Sequence, residues 1–152
     1  MTRTTTIVVR RRLRARPEAL YRTLVDSRRL ARVRGVAAVR VLAGGQAGEE
    51  RVGTRRRVEL PGGAYLVEEL VDLAPPYRFD YRIREATVPF EHRYGRIEFR
   101  PIETGTEALW ISEFAVPGRL GAIARPLGAL GAKVAFAQAL RGMDRVALDR
   151  TG

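Results

Sequence analysis

The sequence predicts an α+β chain: a curved, seven-stranded antiparallel sheet around one long C-terminal helix, with two short helices after the first strand. Three observations predict it. Residues 53–110 alternate apolar and polar side chains in segments cut by Pro and Gly, the pattern of an antiparallel meander with one dry face and one wet face. Pro17-Glu18 and Asp26-Ser27 carry the chemistry of helix starts. Residues 120–149 form the one element long enough, about 40 Å, to cover the dry face of such a sheet.

The elements follow in order. Residues 5–15 read as the first strand. Pro17 suits the first helical turn and Glu18 its positive end, and Ala19, Leu20, Tyr21, Leu24 and Val25 continue that helix. Asp26-Ser27 cap a second short helix over 28–33, which Gly35 ends. A strand over 36–42 leads into a glycine-rich turn over 43–48. That turn lacks a following Lys-Ser/Thr and a following helix, so it does not read as a phosphate loop. Strands are predicted over 51–60, 64–73, 77–85, 92–100 and 107–115. Pro117-Gly118 break the pattern before the long helix, where a bend is expected at Pro126. In its C-terminal half Phe136, Leu140, Met143 and Ala147 share one face, opposite Gln138, Arg141 and Arg145. In its N-terminal half Ile123, Leu127, Leu130, Val134 and Phe136 leave no polar face. That half is expected to touch something on each side, and Leu130 and Val134 are expected to line a cavity.

At 152 residues the chain reads as one domain spanning residues 1–152. The net charge of +11 is almost all arginine, Lys133 being the only lysine. A polyanion partner is one reading of that charge; a GC-rich codon bias that also raises alanine and glycine is the other. The arginines are scattered and no RNA-binding aromatic motif accompanies them, so the expectation is weak, unspecific binding and no specific nucleic-acid partner. With no cysteine and one histidine, the sequence offers no thiolate nucleophile, no disulfide and no conventional zinc site. It carries no cofactor fingerprint, no Ser-His-Asp set and no carboxylate dyad. Residues 1–14 lack the apolar core of a secretory signal, and Arg125, Pro126 and Lys133 interrupt the apolar stretch that follows Leu120. No membrane span and a cytoplasmic location are therefore expected, as a monomer or homodimer.

The polar residues on the dry face are the candidates for chemistry. With Pro61-Gly62-Gly63 as a three-residue loop, Arg56 faces Glu68 among Val58, Leu60, Ala64, Leu66 and Leu70. A two-residue Gly62-Gly63 turn would set Arg57 opposite Glu68 instead. The Arg56–Glu68 pair has two readings. It is a fixture for a ligand carbonyl, enol or carboxylate, using guanidinium donors that one carboxylate leaves over. Or it is a self-satisfied structural pair, which Met and Leu together could replace at little cost. Tyr77, Phe79, Tyr81 and Ile83 alternate with Arg78, Asp80, Arg82 and Arg84, which points Tyr81 inward with a hydroxyl that needs a partner. His92, after Pro89-Phe90, is expected at a pocket rim, either as a general acid/base helped by Tyr94 or Glu68 or as a structural residue. Trp110 and Phe114 read as pocket wall or core.

Five short motifs occur in order along the chain. They are Leu13-Arg14-Ala15-Arg16-Pro17-Glu18-Ala19-Leu20-Tyr21, Leu24-Val25-Asp26, Val52-Gly53-Thr54-Arg55-Arg56, then Glu68 with Pro75-Pro76 and Phe79-Asp80-Tyr81, and Gly105-Thr106 with Trp110. Together the chain resembles the helix-grip, START-like superfamily (SRPBCC), in its polyketide cyclase/dehydrase-like branch. Tyr21 departs from the tryptophan common at its position. The resemblance covers nearly the whole chain and implies an internal cavity for a small hydrophobic molecule, aromatic or polyketide-like. It leaves function open, because fold does not decide among enzymes, lipid carriers and receptors. For an enzyme it implies aldol-type cyclisation or dehydration, with Arg56 stabilising a developing enolate and His92 or Tyr81 moving the proton. The ligand would lie against Arg56, Glu68, Tyr81, Tyr94, Trp110, Phe114, Leu130 and Val134. A carrier or sensor without chemistry is the alternative, and a basic accessory protein for nucleic acid or a protein partner the second.

Overall fold

The computed structural model describes residues 4–87, 91–115 and 120–149, without side chains over 120–129. Alternating side chains build seven strands, and the capped segments build the helices: β1 Thr4–Leu13, α1 Pro17–Val25, α2 Ser27–Leu30, β2 Ala38–Ala43, β3 Arg55–Glu59, β4 Tyr65–Ala74, β5 Arg78–Ala86, β6 Glu91–Ile102, β7 Gly105–Ala115 and α3 Leu120–Leu148. The strands form one antiparallel sheet in the order β1-β7-β6-β5-β4-β3-β2. Inward side chains of the sheet, such as Ile7, Val9, Leu70, Phe79 and Ile97, pack with Leu20 and Leu24 of α1 and with Leu140 and Met143 of α3. This is the helix-grip architecture.

The turn that positions the candidate residues has three members, Pro61–Gly63, closed by the Leu60 N–H donating to the Ala64 carbonyl at 2.8 Å. Gly62 and Gly63 both take positive φ, +87° and +86°, which a side chain would resist. The register therefore sets Arg56 against Glu68 and Val58 against Leu66, and excludes Arg57 from that place.

Several boundaries differ from the expected ones. β3 begins at Arg55 because Thr54 holds a turn: its hydroxyl donates to the Gly44 carbonyl at 2.6 Å and accepts the Arg51 N–H at 2.9 Å. The second helix is one turn, capped by the Asp26 carboxylate accepting the Arg28 N–H at 2.9 Å, with turns continuing to Val33. Tyr77 precedes β5 and is half-exposed rather than inward. Asp80 lies on the face assigned to water, yet it is buried, because Arg96 grips both its oxygens at 2.9 Å. α3 runs without a break through Pro126. The expectations for Pro117-Gly118, Ile123 and Leu127 lie outside the described residues.

Two contacts bind the ends of the chain at the corner between β1 and α1. The Asp144 carboxylate of α3 accepts the N–H groups of Arg14 and Ala15, the latter at 2.8 Å. The Thr106 hydroxyl donates to the Ala15 carbonyl at 2.7 Å. With α3 anchored at this end, the space between its middle and the sheet is left open.

Candidate ligand cavity

A cavity of about 450 Å³ lies between the sheet, α3 and the turn after α2. Its wall is apolar almost throughout: Val58, Leu60 and Leu66 from the β3–β4 hairpin, Phe79, Ile83 and Ile97 from the centre of the sheet, Leu30, Val33 and Val36 from the turn, and Phe136 and Met143 from α3. The volume falls within the range of roughly 300–1,000 Å³ usual for small-molecule sites. The polar side chains of the sheet that reach this wall are Glu68, Tyr81 and Trp110.

These three come from different strands and are joined by the register. Trp110 on β7 donates its indole N–H to the Tyr81 hydroxyl at 2.8 Å and stacks on Phe136 of α3, with ring centroids 4.1 Å apart. That stack bridges sheet and helix beside the cavity. Tyr81 lies flat across β6 because its partner there is Gly95, and a Cβ at Gly95 would collide with the phenol ring. A glycine inside a strand often marks such a close approach. Burial pushes the Tyr81 phenol well above its ordinary range, so the hydroxyl keeps its proton.

Arg56 does not reach the cavity wall. It is fully buried, with 0% of its surface exposed, and most of its donors bond the protein. Nε donates to Glu68 Oε1, Nη2 to the Leu24 carbonyl at 2.8 Å, and Nη1 to the Val25 carbonyl at 3.0 Å and the Ser27 hydroxyl at 3.5 Å. Leu24 and Val25 end α1, where carbonyls lack helical partners and the helix dipole is negative. The guanidinium is thus a cap for α1 supplied from the sheet. Four of its five N–H groups are engaged in these bonds, and Arg56 contributes no part of the cavity wall. Glu68 differs: it is only 9% exposed yet lines the cavity, and among the described residues its second oxygen takes no hydrogen bond.

His92 is not at a rim. It lies buried behind Tyr81, with the two rings stacked at 5.3 Å. Nδ1 accepts the Ile83 N–H at 3.0 Å, so the neutral ring carries its proton on Nε2 and donates it to the Ser112 hydroxyl at 3.1 Å. Neither Tyr94 nor Glu68 is its hydrogen-bond partner there. A bulge after His92 puts Tyr94 on the opposite face of the sheet, where Arg96 lies over its ring. Phe114 packs on the core beyond the cavity. Leu130 and Val134 face outward, because the helix turns them away from the sheet that Phe136 and Leu140 address. Of the predicted site residues, the fold gathers Glu68, Tyr81 and Trp110 and leaves the others off the wall. Sequence reasoning missed Gly95, Ser112 and the wall formed by Leu30, Val33 and Val36. Gly95 carried a signal, a glycine amid a strand; the turn after α2 carried none.

Burial, and secondarily the Arg82 charge, lower the His92 imidazole from 6.5 to about 4. Between those values the unfolded chain binds a proton that the folded protein refuses. Stability therefore falls as pH drops from 6.5 towards 4, by about 3 kcal/mol in total, and His92 adds no pH dependence above or below that window. Replacing His92 with Gln should flatten this part of the profile. Urea unfolding of both proteins at about pH 7 and about pH 4.5 checks it: equal losses would clear the imidazole of responsibility.

Residues 4–150 match the family model described as polyketide cyclase / dehydrase and lipid transport. No curated protein matches the chain in sequence. Among solved structures, the protein TTHA0849 from Thermus thermophilus is similar, with a TM-score of 0.78 and 20% identity over 97% of this chain and 100% of that one. Norcoclaurine synthase from Thalictrum flavum, solved with dopamine and hydroxybenzaldehyde, gives a TM-score of 0.71 and 15% identity over 99% of this chain and 90% of its own. The protein Ara h 8.0201 gives a TM-score of 0.68 and 12% identity over 96% of this chain and 99% of its own. At these identities the likeness is one of fold.

Proposed function

Since the chain belongs to the polyketide cyclase / dehydrase and lipid transport family, we propose that its cavity holds a small, flat, largely apolar molecule, aromatic or polyketide-like, as a carrier or sensor would. The observation that carries this reading is the largely apolar space of about 450 Å³ between the sheet and α3, with Glu68, Tyr81 and Trp110 of the sheet, Arg34 of the turn after α2 and Gln138 of α3 as its polar points. An apolar body gains from leaving water, and a hydroxyl on it would find an acceptor in the unused Glu68 oxygen. Cyclisation through Arg56 and His92 has less support. The arginine lies off the cavity wall with four of its five N–H groups bonded to the protein, and the histidine stands behind Tyr81, neutral at physiological pH. Among the described residues no helix is long and apolar enough to cross a membrane.

Trp110 is the sole tryptophan and lines the cavity, so its emission reports occupancy directly. Titration with 2-naphthol should quench that emission with a Kd below about 1 mM. Replacing Leu66 with Phe fills part of the cavity and should weaken binding at least tenfold while leaving the melting temperature unchanged or higher. Quenching that is indifferent to Leu66→Phe would place the probe elsewhere and sink the reading.

A further inference from the structure

Leu130 and Val134 lie one turn apart on α3, and both face water, with 61% and 51% of their surface exposed. Val8 on β1 is 49% exposed beside them. The three line a second groove, between the free edge of β1 and α3. Four exposed cations surround it: Arg10 and Arg11 from β1, Lys133 and Arg141 from α3. Several surface arginines elsewhere are matched by acids, as in Arg40–Glu59, Arg84–Glu69 and Arg100–Glu107. Among the described residues none of these four cations has an ion-pair partner.

We propose that this face docks on an anionic lipid surface. The two halves of the patch ask for different things, and a bilayer interface with acidic headgroups supplies both. Cations near such a surface are drawn to the headgroups, while apolar side chains between them leave water for the acyl boundary. The long Arg and Lys stems reach past Leu130 and Val134, so charge and apolar contact can be made together. A nucleic acid would satisfy the cations and leave the apolar residues against a charged backbone. A second copy of the chain would bring four more cations against these four.

The test is co-sedimentation with vesicles of phosphatidylcholine alone and of phosphatidylcholine with phosphatidylglycerol at about 7:3, in about 0.15 M salt. The protein is expected to pellet with the anionic vesicles only. Replacing both Leu130 and Val134 with Ser should weaken this at least tenfold. Reversing Arg10, Arg11, Lys133 and Arg141 to Glu should abolish it, since each cation near the surface contributes roughly fivefold. Reversing Arg22, Arg51, Arg82 and Arg93 makes the same change in net charge away from this face and should keep most of the binding. Circular dichroism melting confirms that each variant is folded. The Ser variant, which alters only exposed side chains, decides the matter if a charge-reversed one is not. The proposal fails if the parent ignores anionic vesicles, if the Ser variant binds as the parent does, or if both charge-reversed variants lose binding equally. It fails also if duplex DNA binds in place of vesicles, with loss only in the variant reversed at the groove. None of these outcomes depends on what the cavity holds.

Discussion

Replacing Arg56 with Ala is expected to destabilise the protein by about 4–6 kcal/mol, a large share of the stability of a chain this size. Two losses add. The Glu68 carboxylate is left buried and uncompensated on an apolar wall, and the last carbonyls of α1 lose their donors. The second loss changes a simpler expectation. Were Arg56 and Glu68 a closed pair, replacing them with Met and Leu together would be nearly neutral. Because Arg56 also caps α1, that double variant should still cost about 2–3 kcal/mol, the penalty for orphaned carbonyls at Leu24 and Val25. Urea unfolding of the parent, Arg56→Ala and the double variant gives all three numbers. A neutral double variant would show that the helix-capping bonds contribute nothing net. Tryptophan quenching by 2-naphthol on the folded double variant separates scaffold from site: the apolar replacement should keep the cavity and lose only what the Glu68 oxygen adds.

Gly95→Ala should cost about 2–3 kcal/mol and disorganise the cavity, although it adds a single methyl group in a strand. At Gly95 the cost is purely steric, since its φ lies outside the left-handed region. The new Cβ would overlap the hydroxyl end of the Tyr81 ring, which is stacked on His92 and hydrogen-bonded by Trp110. Moving Tyr81 breaks the hydrogen bond from Trp110 and disturbs the stack on Phe136. Loss of 2-naphthol quenching and a red-shifted Trp110 emission should accompany the lower melting temperature. A variant as stable as the parent, with unchanged emission, would mean that Tyr81 can lift from the sheet without penalty.

The sheet, its hairpin register and the gripping helix were legible because each follows from local pattern. Alternation places Val58, Leu66 and Tyr81 on one face, and Pro61-Gly62-Gly63 admits one register that keeps the apolar residues together. Legibility failed where the deciding contact joins distant segments. Arg56 reads as an arginine with donors to spare until α1 is docked on it, more than thirty residues upstream in sequence. His92 reads as a lone titratable group until Ser112 and the Ile83 N–H claim both its nitrogens. Asp80 reads as a solvent-facing residue until Arg96 covers it. Leu130 and Val134 read as lining because an apolar helix face is taken to be buried, and periodicity does not say which side of the helix meets the sheet.

The position of β1 in the sheet has a consequence for how the chain is made. Among the described residues β1 pairs only with β7, in a register running from Thr4 against Ala115 to Leu13 against Thr106. The earliest-synthesised strand thus waits for about the last third of the sequence. At translation speeds of about 5–20 residues per second, a gap of roughly a hundred residues is about 5–20 s in which Ile7 and Val9 have no partner strand. The three consecutive arginines after them, Arg10, Arg11 and Arg12, keep that waiting segment charged and resist its pairing with other chains. Chains truncated before Gly105 should therefore be cut rapidly by trypsin at these arginines, whereas the full chain should be protected through most of β1. Equal cleavage of both would mean that the first strand finds order without its partner.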